Sequence, residues 1–579
     1  MGRITDFMKD KRFTWLLLAF GTVAILFYNL KNIPYLNTVW ELVDEYGYLA
    51  NAAYISGTDW AHVTNFYYGF GYSLLLVPLF WVCETGMQLV KGAIVINTCC
   101  VVVLFFVQYL LMSKIYKKAN KNMIVAISLI MCFYPYLIAS EMKVICEVFL
   151  TLLIWTCGLF FYQVLTTGKW YYYVLLALAT VWTFLTHTRA LVFCGAMALV
   201  LVCILGFRKI NIKKALVFLA FLVGLFVVGY LLKVQIIDSV YKSSYDNMAN
   251  GGNVVIQNTL SISYVLGRII DTIKNFSYVH VYSLICKNFY LLVATAGMFH
   301  LGVAVAIRDA IKEVKQSKKI CPENAVKVMF VFAALLMLIA LVVQSPGDLN
   351  RPTYFYYARY YEYLVGPVAF IGLMYCVEHK IGCFGRIFMP IFTLISGLLA
   401  LSMNNYIHVY EFYFDSNRIA SFSVATPTKF TYEDVVRYNM IFALIMLALI
   451  IIFNMMRDMR KWVPAVVLCT FFLNNSVLAN NILLLHQTQV AYCTVSAYIH
   501  TKCDVDEVYF LKSDVEDVCA YAGIQTLLGT KKLNLVEAED AGTLESGMVF
   551  VTFKNNEVVN EIDAEYLAET DYFAIYEVE

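Results

Sequence analysis

The sequence predicts a polytopic α-helical membrane protein of about thirteen transmembrane helices, closed by a small α/β domain. Three observations carry that expectation. Of 579 residues 61% are hydrophobic and only 15% charged, where soluble domains run nearer ~25% charged. Apolar runs of roughly 17–25 residues, enough to cross about 30 Å of hydrocarbon, recur along most of the chain. Basic residues gather between alternate runs. The mean hydropathy is +0.69. A net charge of +2 says nothing about partners, and no nucleic-acid partner is expected.

The runs lie near 13–30, 92–113, 123–140, 145–165, 171–187, 190–206, 215–232, 287–307, 325–343, 360–378, 386–403, 438–455 and 462–484. "MGRITDFMKDKR" leads into the first with no small-residue cleavage site after it, so that run reads as an uncleaved span. With the N-terminus cytoplasmic, the inner connections are "KIYKKANKN", "TTGKW", "FRKINIKK", "RDAIKEVKQSKK", "HKIGCFGR" and "RDMRK", all basic. A shorter apolar stretch, 71–83, holds Pro78; counting it as a span would place two of these basic segments outside. Residues 71–90 are therefore expected as an outer-leaflet or re-entrant segment buried against protein. The odd count leaves the C-terminus extracytoplasmic.

The domain expectation is a transmembrane part over 1–484 and an extracytoplasmic α/β domain over 485–579. Outer connections are expected at 31–91, 233–286, 344–359 and 404–437, with "DSVYKSSYDNMANGGN" in the second having loop composition. In the tail, "VDEVYFL", "KLNLV", "GMVFVTF" and "DYFAIYEV" read as strands, and "DVEDVCAYAGIQTLL" and "NEIDAEYLAE" as helices. It has no glycine-rich phosphate loop and no nucleophile elbow, so no chemistry is assigned to it. The sixteen cysteines show no Cys-x-x-Cys spacing, and most lie in apolar runs as small hydrophobes. Cys503 and Cys519, in polar sequence, could pair.

Four constellations carry titratable groups to the expected outer face. "LVDEYGYLANAAY" holds Asp44 and Glu45, readable either as a solvated pair at a helix start or as a reactive pair. "THTRAL" holds His187 and Arg189; Arg can snorkel to headgroups, or bind a phosphate with its fork. "DLNRPTYFYYARYYEYLVGP" places Asp348, Arg351, Arg359, Tyr360 and Glu362 among aromatics, with Arg359 and Glu362 spaced to share one helix face. "ASEMKVICEVF" holds Glu141, Lys143 and Glu147; ionisable residues within apolar sequence are costly and mark sites. Carboxylates, arginines, a histidine and aromatics at one membrane face suit a sugar carried on a membrane phosphate.

The acidic pair after the first span, then "GYLANAAY" and "YYGFGYSLLLVPLF", resembles the GT-C superfamily of glycosyltransferases, which includes protein mannosyltransferases and the lipid A aminoarabinose transferase. "THTR" after the fifth span, "ARYYE" before a late span, and the extracytoplasmic tail are similar too. The resemblance implies inverting transfer of a sugar from a polyprenyl-phosphate donor to a glycan, lipid or protein hydroxyl, on the non-cytoplasmic face of a cell membrane, expected to be bacterial. It implies Asp44 as general base, with Glu45 beside it orienting the acceptor or a divalent cation. The leaving phosphate needs cations, for which the candidates are His187, Arg189, Arg351 and Arg359. Glu141, Lys143, Glu147, Tyr360 and Glu362 are expected in support. A transporter or flippase of a lipid-linked saccharide is the alternative; it would call for repeated halves with interrupted spans, and no such repeat is seen.

Overall fold

The computed structural model describes residues 11–36, 39, 42–58, 60, 68–207, 212–240, 262–344, 347, 349, 352–406, 419–425, 431–485, 490–513 and 518–579. The apolar runs form helices because a chain in hydrocarbon must satisfy its backbone within each segment. Among the described residues seven helices are long and apolar enough to cross a membrane, or ten if each of three bent pairs counts as one span.

About thirteen spans were expected; three of the runs are bent and two are short, so they fall outside the count of straight long helices. The run at 287–307 straddles a 100° bend between Tyr278–Thr295 and Met298–Ser317. Ala296 and Gly297 make that bend at positive φ, 46° and 77°. The run at 123–140 bends by 54° ahead of Pro135, whose ring cannot continue the preceding helix. The tenth run is entered through a 50° bend between Thr353–Tyr360 and Glu362–Glu378. Trp170–Thr186 and Leu191–Phe207 have 17 residues each, about 26 Å at the α-helical rise.

The stretch 71–90 begins with helix Phe70–Leu76 and the 3₁₀ turn Val77–Trp81 around Pro78, together too short to cross. It packs backbone to backbone on the end of helix Trp170–Thr186. A Cβ on Gly69 would lie 2.1 Å from the Thr186 carbonyl oxygen, and one on Gly71 2.7 Å from the Thr186 nitrogen. The glycines of "GFG" permit this approach, and Trp182 Nε1 donates to the Gly71 carbonyl at 2.9 Å.

Two expected loops are partly helical. The first connection contains helix Leu42–Ser56, and the 233–286 stretch contains the end of Ile212–Val240 and helix Ile262–Lys274. Residues 241–253 of the loop-like "DSVYKSSYDNMANGGN" lie outside the described residues.

The tail forms a five-stranded sheet in the order β2-β1-β3-β5-β4. Its strands are β1 (Glu507–Leu511), β2 (Lys532–Val536), β3 (Val549–Phe553), β4 (Ala564–Glu569) and β5 (Phe573–Val578). β1 runs parallel to β2 and β3, while β5 is antiparallel to β3 and β4. Helix Val518–Leu528 crosses from β1 to β2. The predicted helix at 560–569 is instead edge strand β4: pairing with β5 overrides the helix propensity of "AEYLAE". Cys503 and Cys519 form no disulfide with each other.

The sheet domain seats on helix Leu42–Ser56. Tyr46 stacks on Trp60 with ring centroids 5.7 Å apart and meets the edge of Tyr521 at 6.3 Å. Trp60 Nε1 donates to the Gly529 carbonyl at 3.0 Å, and Thr530 Oγ1 to the Glu84 carbonyl at 3.0 Å. A Cβ on Gly86 would fall 1.9 Å from the Thr526 carbonyl oxygen, so the two backbones meet directly there.

Candidate functional site

Helix Leu42–Ser56 carries Asp44 and Glu45 in its first turn, where the helix dipole favours carboxylates. Successive helical residues point about 100° apart, and the two diverge accordingly. Asp44 Oδ1 accepts from Tyr68 Oη at 2.8 Å and Oδ2 from Arg359 Nη1 at 2.5 Å. Glu45 is fully buried, and its Oε1 accepts the Val144 N–H at 2.7 Å. It therefore ties the acidic helix to the turn ahead of Glu147, and the expected side-by-side pair does not form. Among the described residues no three His, Cys, Asp or Glu side chains gather to hold a metal. Asp44 and Glu45 face different partners, so they do not fit a shared divalent cation.

From Asp44 a chain of charges runs inward. Arg359 Nε donates to Glu147 Oε1 at 2.6 Å, and Arg189 Nη2 donates to the same oxygen at 2.7 Å. Asp44 and Glu147 balance the two guanidiniums, which offsets the desolvation that isolated buried charges would suffer. Side-chain exposure is greatest at Asp44, 26%, and falls to 9% for Arg359, 0% for Glu147 and 6% for Arg189.

At the inner end, the 3₁₀ turn Thr188–Ala190 presents Arg189, whose backbone N–H donates to His187 Nδ1 at 3.3 Å. Its guanidinium lies 4.4 Å over the Tyr360 ring and 5.7 Å from that of Tyr363, cation–π contacts that fix the plane of the fork. Arg189 Nε and Nη1 and Glu147 Oε2 are buried with no hydrogen-bond partner among the described residues.

Of the residues expected from sequence, Asp44, Glu147, His187, Arg189, Arg359 and Tyr360 thus come together. Others do not. Glu141 Oε1 accepts from Thr98 Oγ1 at 2.5 Å, and the carbonyls of Glu141 and Lys143 accept from Asn97 Nδ2 at 3.3 and 2.8 Å. These residues join the 141–146 turn to helix Gly86–Ile115. Glu362 does not pair with Arg359. The expected helix is two 3₁₀ turns, Ala358–Tyr360 and Glu362–Leu364, separated at Tyr361. Glu362 Oε1 accepts instead from Tyr134 Oη at 2.7 Å and Tyr290 Oη at 2.9 Å. Arg351 and Asp348 lie outside the described residues.

Sequence reasoning missed Tyr68, Lys233 and Lys287. Lys233 is buried, 5.4 Å from the Phe184 ring. Lys287 is buried and donates to Ser283 Oγ at 2.6 Å and the Phe355 carbonyl at 3.1 Å. The available signal was a lysine at the margin of an apolar run, which hydropathy assigns to the interface although the helix continues past it.

The helical bundle, the acidic helix after its first apolar helix and the terminal sheet domain together make a fold that solved structures share. Among solved structures, ArnT from Cupriavidus metallidurans bound to undecaprenyl phosphate shares it, with a TM-score of 0.53 at 11% identity over 98% of each chain. The apo form of that protein gives 0.50 at 12% identity, again over 98% of each chain. The Archaeoglobus fulgidus oligosaccharyltransferase in its apo form gives 0.45 at 11% identity, covering 90% of this chain and 64% of its own. At these identities the likeness is one of fold. No protein-family model and no curated protein matches the sequence.

Proposed function

We propose that the protein is a GT-C-type glycosyltransferase that moves a sugar from a polyprenyl-phosphate donor to an acceptor hydroxyl on a glycan, lipid or protein. In this reading the site faces the non-cytoplasmic side, as the basic inner connections argue. One observation carries the reading: a partly open carboxylate, Asp44, is wired through Arg359 and Glu147 to a second arginine with two side-chain nitrogens unpaired among the described residues. That is a base at a water-accessible mouth and an anion site in a dry interior. The solved ArnT of the same fold holds undecaprenyl phosphate, which supports a lipid phosphate as the anion.

The chemistry follows from these positions. Asp44 takes the acceptor hydroxyl's proton as its oxygen attacks the anomeric carbon; the bond from that carbon to the phosphate oxygen breaks, and the phosphate leaves with the electron pair. A single displacement of this kind inverts the anomeric centre. Arg359 fixes the carboxylate's orientation, and Tyr68 holds its second oxygen. Arg189, with its plane held against Tyr360, offers its free N–H groups to the leaving phosphate in a site of low dielectric, where preorganised donors count most. His187 and Lys233 add donors or charge nearby.

The test is undecaprenyl phosphate binding to purified full-length protein. Arg189→Ala should weaken it more than Arg189→Lys, because lysine keeps charge but loses the two-pronged geometry. Equal affinity in wild type and both variants, with folding unchanged, would reduce Arg189 to a structural partner of Glu147.

A further inference from the structure

Beyond Arg189 the buried polar atoms without a partner continue. Tyr136 Oη, Tyr363 Oη and Glu362 Oε2 have none among the described residues, and all three residues are at most 1% exposed. Buried polar groups in folded proteins are nearly always satisfied, so orphans beside a ligand site point to a polar group of the ligand. Tyr363 borders the phosphate site directly, Glu362 is its chain neighbour, and Tyr136 and Glu362 are joined through Tyr134. The Tyr363 ring lies 5.7 Å from the Arg189 guanidinium, and Tyr136 is within electrostatic reach of Glu147, Arg189 and Glu362. Tyr136 also neighbours Tyr134, at 6.5 Å between ring centroids, and Tyr134 donates to the other oxygen of Glu362.

Hydroxyls and a carboxyl set among aromatic rings match a sugar, whose hydroxyls need hydrogen bonds and whose C–H faces pack on rings. A polyprenyl tail would leave these groups unsatisfied. An acceptor arriving from water meets Asp44 at the open end, whereas these side chains are sealed beside the phosphate edge. Resting on the glycosyltransferase reading, we propose that Tyr136, Glu362 and Tyr363 form the donor-sugar subsite, with Glu362 Oε2 accepting a hydrogen bond from a hydroxyl or amino group of the ring. Glu362, held from the other side by Tyr134 and Tyr290, is the specificity-determining residue.

The experiment compares full-length wild type, Tyr136→Phe, Tyr363→Phe and Glu362→Gln for binding of undecaprenyl phosphate and of undecaprenyl phosphate carrying glucose, mannose, arabinose or 4-amino-arabinose. Wild type should bind at least one glycosylated lipid more tightly than the bare phosphate. For that lipid, each variant should lose about tenfold in affinity, as for one hydrogen bond in a buried site. Affinity for bare undecaprenyl phosphate should stay within about twofold. The two Phe variants remove hydroxyls that have no partner among the described residues, so thermal stability should not fall, and they keep the test open if Glu362→Gln does not fold. Equal losses for bare and glycosylated lipid, or a wild type that never favours a glycosylated lipid, would overturn the subsite. A wild type that binds no undecaprenyl phosphate at all would instead overturn the glycosyltransferase reading.

Discussion

The helical part and the terminal sheet treat polar groups in opposite ways. In the helices, charges are buried and shared: one Glu147 oxygen serves two arginines, with side chains no more than 9% exposed. All buried side-chain polar atoms without a partner, among the described residues, fall between Gln108 and Asn475. In the sheet domain the ion pairs Lys512–Glu537 and Lys554–Glu569 lie toward solvent, and no described buried side-chain polar atom is orphaned. Exposed pairs of that kind contribute little, whereas a buried orphan lowers stability and persists where a ligand satisfies it. On the proposed function, chemistry belongs to the helices and mounting to the sheet, whose helix Val518–Leu528 backs the helix that carries Asp44.

The largest expected effect would break this contrast if it failed. Asp44→Asn keeps the shape and one acceptor oxygen but cannot take a proton, so turnover should fall by about 10²–10⁴ while undecaprenyl phosphate binding persists. Asp540→Asn, on the sheet domain, should leave turnover near wild type. Equal turnover of the Asp44 variant and wild type would remove Asp44 as the base.

How much of this was legible follows the same division. Charge inside apolar sequence is conspicuous, so Asp44, Glu147, Arg189 and Arg359 could be singled out from the chain alone. Their pairing could not: Arg359 lies 212 positions from Glu147 and 315 from Asp44, and only packing brings them together. The division of labour between Asp44 and Glu45 was hidden because it depends on which helix face meets the Val144 turn. Bends escaped for a related reason. Ala296 and Gly297 sit in an unbroken apolar run, and hydropathy carries no record of φ. Strands β1, β2, β3 and β5 were visible as β-rich runs, while β4 depends on a neighbour to make it a strand.

The second effect tests the buried network. Glu147→Gln keeps the size but leaves two guanidiniums without their shared counter-charge. Removing one partner of a buried pair costs about 3–5 kcal/mol, so thermal unfolding should shift clearly downward in detergent. An unchanged melting temperature would mean that water screens the network. The third effect moves to the mount. Gly86→Ala puts a methyl against the Thr526 carbonyl, and neither backbone can yield cheaply. Overpacking of this kind costs about 1–3 kcal/mol, and protease should then release the sheet domain sooner than from wild type. Unaltered proteolysis would show that the contact is loose.

The smallest effect is the sharpest on what the mount does. Trp60→Phe keeps the stack on Tyr46 but removes the Nε1–H that reaches the Gly529 carbonyl. One such hydrogen bond is worth about 0.5–1.5 kcal/mol, so the protein should fold and bind undecaprenyl phosphate as wild type does. Tyr46 stands two residues from Asp44 on the same short helix, and Trp60 touches both Tyr46 and the sheet domain. If the domain sets the position of Asp44, a slackened contact should lower turnover several-fold at unchanged donor affinity, since small displacements of a catalytic group are costly. Turnover equal to wild type, with proteolysis showing the domain loosened, would mean that helix Leu42–Ser56 holds Asp44 without help from the sheet.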